Sequence, residues 1–267
     1  MRRLLPLFLL SLSAIPFCSS AQNKHVEFSS GYNAAIPMGD MQHHANTVHA
    51  FNLQGLYLVP GANRLGIGLE FRAGTYAAFT RQQEFGMNGT TTMTDVHYNS
   101  NVTSGNAVVR YDIVRANNVS VFGGVKGGVT DFKSKFQIED PKDPDGCHPL
   151  QTQELMDSYT WQAGANAGVH MDMRAIFPHM PKGLLLLQGY VGFIYGGNVD
   201  YINVRHMTQE DDMHTNPPAT GTEGGGTPVS VRFINMNNGD IHEHEVARAY
   251  NSPVRFMEAG VSVVVRF

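Results

Sequence analysis

Histidine is the residue type in this chain whose placement most suggests chemistry. Of 12 histidines, His43, His44, His97, His148, His206, His214, His242 and His244 fall in stretches that read as loops. The pair His43-His44 and the run His242-Glu243-His244, joined by Asp211, Asp212 and His214, offer imidazole and carboxylate donors together. That mixture suits zinc, copper or nickel. The spacing matches no zinc motif, so a solvated loop is the plain reading of His43, His44, His242 and His244, with a metal site as the sharper alternative. A second pattern, Asp140 to Gly146 (DPKDPDG), puts Asp143, Asp145 and Glu154 at relative positions 1, 3 and 12 of a calcium loop. Its glycine comes fourth where such a loop needs it sixth, and prolines interrupt the ligands, which leaves a rigid polar turn. A third set, His170 and Asp172 with Thr160 or Ser262 as the hydroxyl, has the residue types of a hydrolytic triad. A triad needs all three groups within hydrogen-bond reach, and alternation alone places only His170 and Asp172 on one face. A network of mutually satisfied polar groups is the plainer expectation. Gly221 to Thr227 (GTEGGGT) has no following Lys-Ser/Thr and no helix start, so it reads as a flexible loop rather than a phosphate cradle. No cofactor is expected.

The elements that must position these residues follow a period of two. From Tyr159, the odd positions Tyr159, Trp161, Ala163, Ala165, Ala167, Val169, Met171 and Met173 are apolar, while Thr160, Gln162, Asn166, His170, Asp172 and Arg174 lie between them. This is a strand with one apolar and one polar face, far longer than the roughly 5–6 residues of an ordinary strand. The pattern recurs over Arg64–Phe79, Asn106–Val114, Val119–Val129, Leu185–Val199 and Val254–Phe267, and less regularly over Val26–Ile36 and Val48–Val59. Eight long strands result. Their connections alternate between short turns (60–63, 116–118 and 176–183) and long loops (37–47, 80–105, 131–158 and 200–253), which describes an up-and-down meander with every long loop at one end. Within the last loop, Val229–Asn235 and Ile241–Tyr250 flank Met236-Asn237-Asn238-Gly239-Asp240, a good hairpin turn. With Glu243 and Glu245 on one face and His242, His244 and Arg248 on the other, neither face suits lipid. This hairpin is expected to extend a sheet beyond the membrane.

Composition narrows the class further. The chain has 267 residues, 16% charged, with a formal charge of −4, and its pI is near 6.3. These values exclude a disordered polyelectrolyte and argue against nucleic acid as a partner. Arg2 and Arg3, the apolar run Leu4–Phe17 and the small residues Ser19-Ser20-Ala21 predict a secretory signal peptide over residues 1–21, leaving 22–267 as one β-barrel domain. Cleavage there removes Cys18 and leaves only Cys147, so disulfides do not hold the fold. Beyond the leader no unbroken apolar run exceeds four residues, as at Leu184–Leu187, which excludes a transmembrane helix.

With the apolar face inward these strands make a soluble barrel of the lipocalin type, and with it outward a membrane barrel; the polar face decides between them. It carries Glu27, Glu70, Asp112, Asp172 and Glu258 against Arg64, Arg72, Arg110, Lys126 and Arg174. A balanced set can pair within a narrow lumen, where an unpaired charge costs several kcal/mol. The apolar face carries Phe51, Phe79, Tyr159, Trp161, Phe193 and Tyr195 toward the loop end and Tyr57 and Phe267 toward the turn end, a pattern of aromatic girdles. The expected lumen network is therefore Glu70, Arg72, Arg110, Asp112, Lys126, His170, Asp172, Arg174 and Glu258.

Taken together, the leader, the eight alternating strands, the short turns against long loops and the terminal Val263-Val264-Val265-Arg266-Phe267 resemble the small OmpA/OmpX-type outer-membrane β-barrels of Gram-negative bacteria. The resemblance implies an all-β, eight-stranded antiparallel up-and-down transmembrane β-barrel with long extracellular loops, located in the cell outer membrane. It implies outer-membrane lipid and the barrel-assembly machinery as partners, with Phe267 as part of the assembly signal. An eight-stranded interior is filled by its own side chains. The expected role is non-enzymatic: a plugged polar lumen, with loops that bind an extracellular protein, surface or ligand, or a purely structural part in the envelope. A small-solute porin and a barrel-embedded hydrolase acting on lipid A or peptides are the alternatives.

Overall fold

The computed structural model describes residues 25–62, 64–87, 90–140, 150–202, 226–234 and 241–267, with side chains left out for 81, 83–87, 90–92, 230–234 and 241–246. The predicted leader, Cys147, the calcium-like DPKDPDG apart from Asp140, and Asp211, Asp212 and His214 lie outside these residues. The described chain is almost entirely strand: β1 (Val26–Pro37), β2 (Val48–Leu58), β3 (Leu65–Met87), β4 (Thr90–Arg115), β5 (Val119–Ile138), β6 (Gln151–Asp172), β7 (Leu185–Ile202), β8 (Thr227–Ile234) and β9 (Ile241–Arg266). Neighbours pair antiparallel in the order β1 to β7, then β9, and β1 pairs back with β9 to close an eight-stranded barrel. The seam is sealed at its last residue, where Phe267 N–H donates to the Val26 carbonyl at 2.8 Å and Val26 N–H returns the bond at 3.2 Å. β8 pairs only with Ile241–Ala249 of β9, beyond the stretch that closes onto β1, so it forms a hairpin outside the barrel wall.

The exterior of the barrel is apolar. Leu69, Val125, Val129, Val191 and Val261 are each more than half exposed, while Glu27, Glu70, Arg72, Arg110, Asp112, Lys126 and Glu258 are buried inside. Water would reverse this arrangement, and lipid requires it. Inward glycines keep the barrel narrow: a Cβ at Gly68 or at Gly128 would collide with the carbonyl oxygen of Gly55 or Gly105 on the adjacent strand.

Two of the expected long loops are strands. β3 and β4 stay paired out to Met87↔Thr90, and β5 and β6 out to Ile138↔Gln151, so 80–87, 90–105 and much of 131–158 continue the sheet. The neighbouring ladders stop earlier: β2–β3 at His49↔Thr75, β6–β7 at Gln162↔Gly196 and β1–β9 at Pro37↔Phe256. Beyond these points the wall splits into two projecting sheets, β3-β4-β5-β6 and β7-β9-β8. They pack through Val96, Tyr98, Phe136 and Ile138 of the first and Ile202 and Ala247 of the second. The stretch after β1 folds inward as a 3-10 helix, Gly39–His43, which buries Met41 completely among Phe132, Tyr201, Tyr250 and Phe256.

Bulges reset the faces. A register shift between Thr75 and Ala77 turns Phe79 inward, where it packs beside Tyr98 at 6.3 Å between ring centroids. Phe79 is therefore part of the projecting core, not of the outer girdle. A similar shift between Tyr195 and Asn198 moves Val199 and Tyr201 from the outward to the inward parity.

Candidate functional site

Two regions carry the polar chemistry of the molecule: the lumen and the projecting sheets. The lumen holds its charges in two tiers. At the turn end, Arg110 makes a two-pronged contact with Glu27, one prong at 2.7 Å, and Arg266 Nε reaches the same carboxylate at 2.8 Å. Asp112 takes Arg115 at 2.6 Å and lies 3.7 Å from Arg110. In the middle tier, Lys126 Nζ bridges Glu70 at 2.9 Å and Glu258 at 2.6 Å, and Arg72 meets the other oxygen of Glu258 at 3.0 Å. Asn106 donates to Glu70 at 3.2 Å and receives Gln162 at 2.8 Å, while Asn33 donates to the Tyr190 hydroxyl at 3.0 Å.

These pairs join strands that are distant in sequence: β1 to β4, β3 to β5, and both β3 and β5 to β9. Removing either partner strands a buried charge, which costs about 3–5 kcal/mol, so the network fixes which strands face one another across the lumen. Above the charged tiers lies an apolar layer of Met41, Val102, Phe132, Ile194 and Phe256. Charge pairing and apolar packing thus occupy successive levels of the interior.

Sequence reasoning placed most of these residues and missed some. Glu70, Arg72, Arg110, Asp112, Lys126 and Glu258 converge in the network. His170 is buried and faces the lumen, but its partners are Gln188 at 3.2 Å and Ser120 at 3.3 Å, and its ring stacks on Phe122 at 4.6 Å. Asp172 serves the backbone instead, accepting from the N–H groups of Arg174 at 3.0 Å and Gly183 at 2.7 Å. His170 and Asp172 thus do not form the acid–base pair of a triad. Arg174 is corrected outright: it sits exposed in a 3-10 turn, Met173–Ala175, because the strand ends at Asp172. Arg64 likewise lies exposed at a turn, donating to the Ile113 carbonyl at 3.3 Å. Arg115 and Arg266 were outside the expected network: Arg115 meets Asp112 within β4, across the register shift between Asp112 and Val114, and closure of β1 onto β9 brings Arg266 to Glu27.

Of the metal candidates, only His43 and His44 have described side chains. His43 and His44 lie 6.3 Å apart edge to face, and His44 stacks on Tyr250 at 3.9 Å. The side chains of His242 and His244 fall outside the description. Among the described residues no three His, Cys, Asp or Glu groups gather as a metal site.

On the outer face of the projecting sheets, Lys133 bridges Glu154 at 2.9 Å and Asp157 at 2.8 Å. Donating to Asp157 and Glu154 raises the Lys133 ammonium above its ordinary value, and the bond accepted from Lys133 holds the Asp157 carboxyl below its own. Asp131, partly desolvated and beside Asp157, is pushed up. Nearby, His97 bonds Thr80 at 2.8 Å, and its Nε2 lies 2.7 Å from Glu139, just past the end of β5.

No protein-family model matches the chain, and no curated protein matches it. Among solved structures it is similar to Neisserial surface protein A (12% identity, 91% of this chain and 96% of that one, TM-score 0.41). It is similar also to Ail, the attachment invasion locus protein of Yersinia pestis (13% identity, 92% and 100%, TM-score 0.36). A third likeness is to the outer membrane protease OmpT from Escherichia coli (10% identity, 93% and 98%, TM-score 0.37). Identities this low speak to fold alone, and no role passes from these proteins to this chain. The chain's own closed ladder, apolar exterior and paired interior carry the conclusion: it is an eight-stranded transmembrane β-barrel of the outer-membrane type, raised at one end into two packed sheets.

Proposed function

We propose that the chain is a non-enzymatic surface protein, exported by its 1–21 leader and seated in the outer membrane by the assembly machinery through the strand that ends at Phe267. Its turns face the periplasm and its projecting sheets face outward. The sheets bind an external protein or surface, and the barrel is the pedestal that holds them clear of the lipid.

One observation carries this reading. Beyond Thr75, β3 pairs with β4 on one side, and no described strand pairs with its other side as far as Met87. In an antiparallel strand alternate residues direct their N–H and C=O groups to opposite neighbours. An open edge of this length is a template for an added extended strand, the recognition mode in which main-chain hydrogen bonds supply affinity. The porin reading finds no support here, because Met41, Phe132 and Phe256 fill the lumen above its ion pairs. Channel recordings in planar bilayers are expected to be silent.

The test is a shortened variant in which a tight turn replaces 78–99, joining β3 to β4 above the barrel. Cells displaying either form are compared for capture of biotinylated extended peptides. The variant is expected to keep heat-modifiable mobility, the sign of a closed barrel, and to lose capture. Equal capture by both forms would remove the edge strand from the proposal.

A further inference from the structure

Three connections close the turn end, and one differs from the others. The turns after β2 and β4 expose small or polar residues: Pro60, Gly61 and Ala62 in the first, Ala116, Asn117 and Asn118 in the second. The connection from β6 to β7, Met173 to Leu184, exposes Ile176 at 55% and Phe177 at 49%. Arg174, His179 and Lys182 are exposed beside them, and the segment contains no acidic residue.

This connection is built. Asp172 is buried at its base and holds both ends by accepting from Arg174 N–H and Gly183 N–H. Ile176 N–H and Phe177 N–H both donate to the Met173 carbonyl, at 3.0 and 2.8 Å, and Met180 N–H donates to that of Phe177 at 3.0 Å. Gly183 supplies the left-handed residue (φ 67°) that returns the chain to β7. A turn held this firmly keeps its two large apolar side chains outside the fold.

What covers them follows from where they sit. The lipid-facing band passes through Val169 on β6 and Val263 on β9, each about half exposed (47% and 48%), and runs on into this turn. Apolar side chains flanked by cations, at the rim of an apolar band, are the make-up of a segment that lies in the headgroup layer. With the turn end facing the periplasm, as proposed above, the adjoining leaflet is glycerophospholipid. We propose that Met173–Leu184 is an interfacial anchor: Ile176 and Phe177 enter the boundary between headgroups and acyl chains, and Arg174 and Lys182 lie against the phosphates of anionic lipid.

The only tryptophan of the chain, Trp161, is replaced to leave one reporter: Trp161→Phe with Phe177→Trp. The refolded full chain is placed in phosphatidylethanolamine vesicles with and without phosphatidylglycerol. The expected result with phosphatidylglycerol is blue-shifted emission, quenching by brominated acyl chains and protection from aqueous acrylamide. Reversing Arg174 and Lys182 to Glu lowers partitioning of the turn onto anionic vesicles by about five-fold for each cation lost. Emission of a water-exposed indole, in protein that keeps its heat-modifiable shift, would overturn the anchor. Equal depth with and without phosphatidylglycerol, unchanged by the charge reversal, would overturn its selectivity for anionic lipid. Ile176→Trp in the same background repeats the measurement should Phe177→Trp fail to fold. Neither result touches the projecting edge, whose test reads peptide capture at the other end.

Discussion

Between Val119 and Thr130, β5 directs Val121, Val125 and Val129 outward and Ser120, Lys126 and Thr130 toward the lumen. From Asp131 to Ile138 the same strand directs Asp131, Lys133, Lys135 and Gln137 outward and Phe132, Phe136 and Ile138 inward. β4 changes over at the same level, with Val109 and Tyr111 outside below it, and Val96, Tyr98 and Val102 inside above it. The backbone period does not change along either strand. The solvent does: lipid accepts valine and rejects lysine, and water reverses the preference, so each half buries what its surroundings reject. Along a continuous ladder, the change of face marks the edge of the membrane.

The two halves should therefore fail in different ways, and the sharpest break is inside the barrel. Among the described residues, Arg110→Ala leaves Glu27 with Arg266 as its one remaining ion-pair partner and should cost about 3–5 kcal/mol. In urea titrations followed by heat-modifiable mobility, the whole barrel is expected to unfold earlier. Phe136→Ala opens a cavity in the projecting core, for about 3 kcal/mol, near the low end for such truncations. That loss should stay local: protease cuts the projecting sheets faster while the mobility shift survives. Unfolding of the barrel in step with the sheets would refute the division into two regions.

A matched pair of exterior substitutions tests the change of face directly. Val125→Arg puts a charge into the middle of the apolar band and should cost about 2–4 kcal/mol. Lys135→Val, five turns of the pleat further along, removes a charge from the water-facing half and should change stability by no more than about 0.5 kcal/mol. Similar penalties for both would mean that the two halves share one environment.

The smallest expected effect is electrostatic and belongs to the projecting sheets alone. Asp157 is held below its ordinary pKa by Lys133. Its contribution is present above the ordinary carboxylate range and fades as pH falls through the depressed value. Exposure and salt screening keep it small. Infrared or NMR titration should show Asp157 ionising at lower pH than in Lys133→Ala, with the difference shrinking at high salt. A salt-independent difference would point to burial rather than pairing.

The amino-acid sequence by itself determined the barrel. Alternation is local, so strands could be read from which residues recur at every second position, and three short connections marked one end. A balanced set of charges on the polar face indicated the lumen. The tertiary structure decided what local order cannot carry. A bulge at Tyr76 shifts parity by one residue and takes Phe79 from the girdle into the core, and no residue type announces that shift. The ladders of β3–β4 and β5–β6 run on past their neighbours, so polar stretches that resemble loops are strands facing water. Arg174 left the lumen because Asp172 ends its strand by capping a turn. The pairings Glu27–Arg110, Arg72–Glu258 and Glu27–Arg266 span 83, 186 and 239 residues. Their partners are chosen by the stagger with which the barrel closes, a property of the whole sheet that no segment of sequence contains.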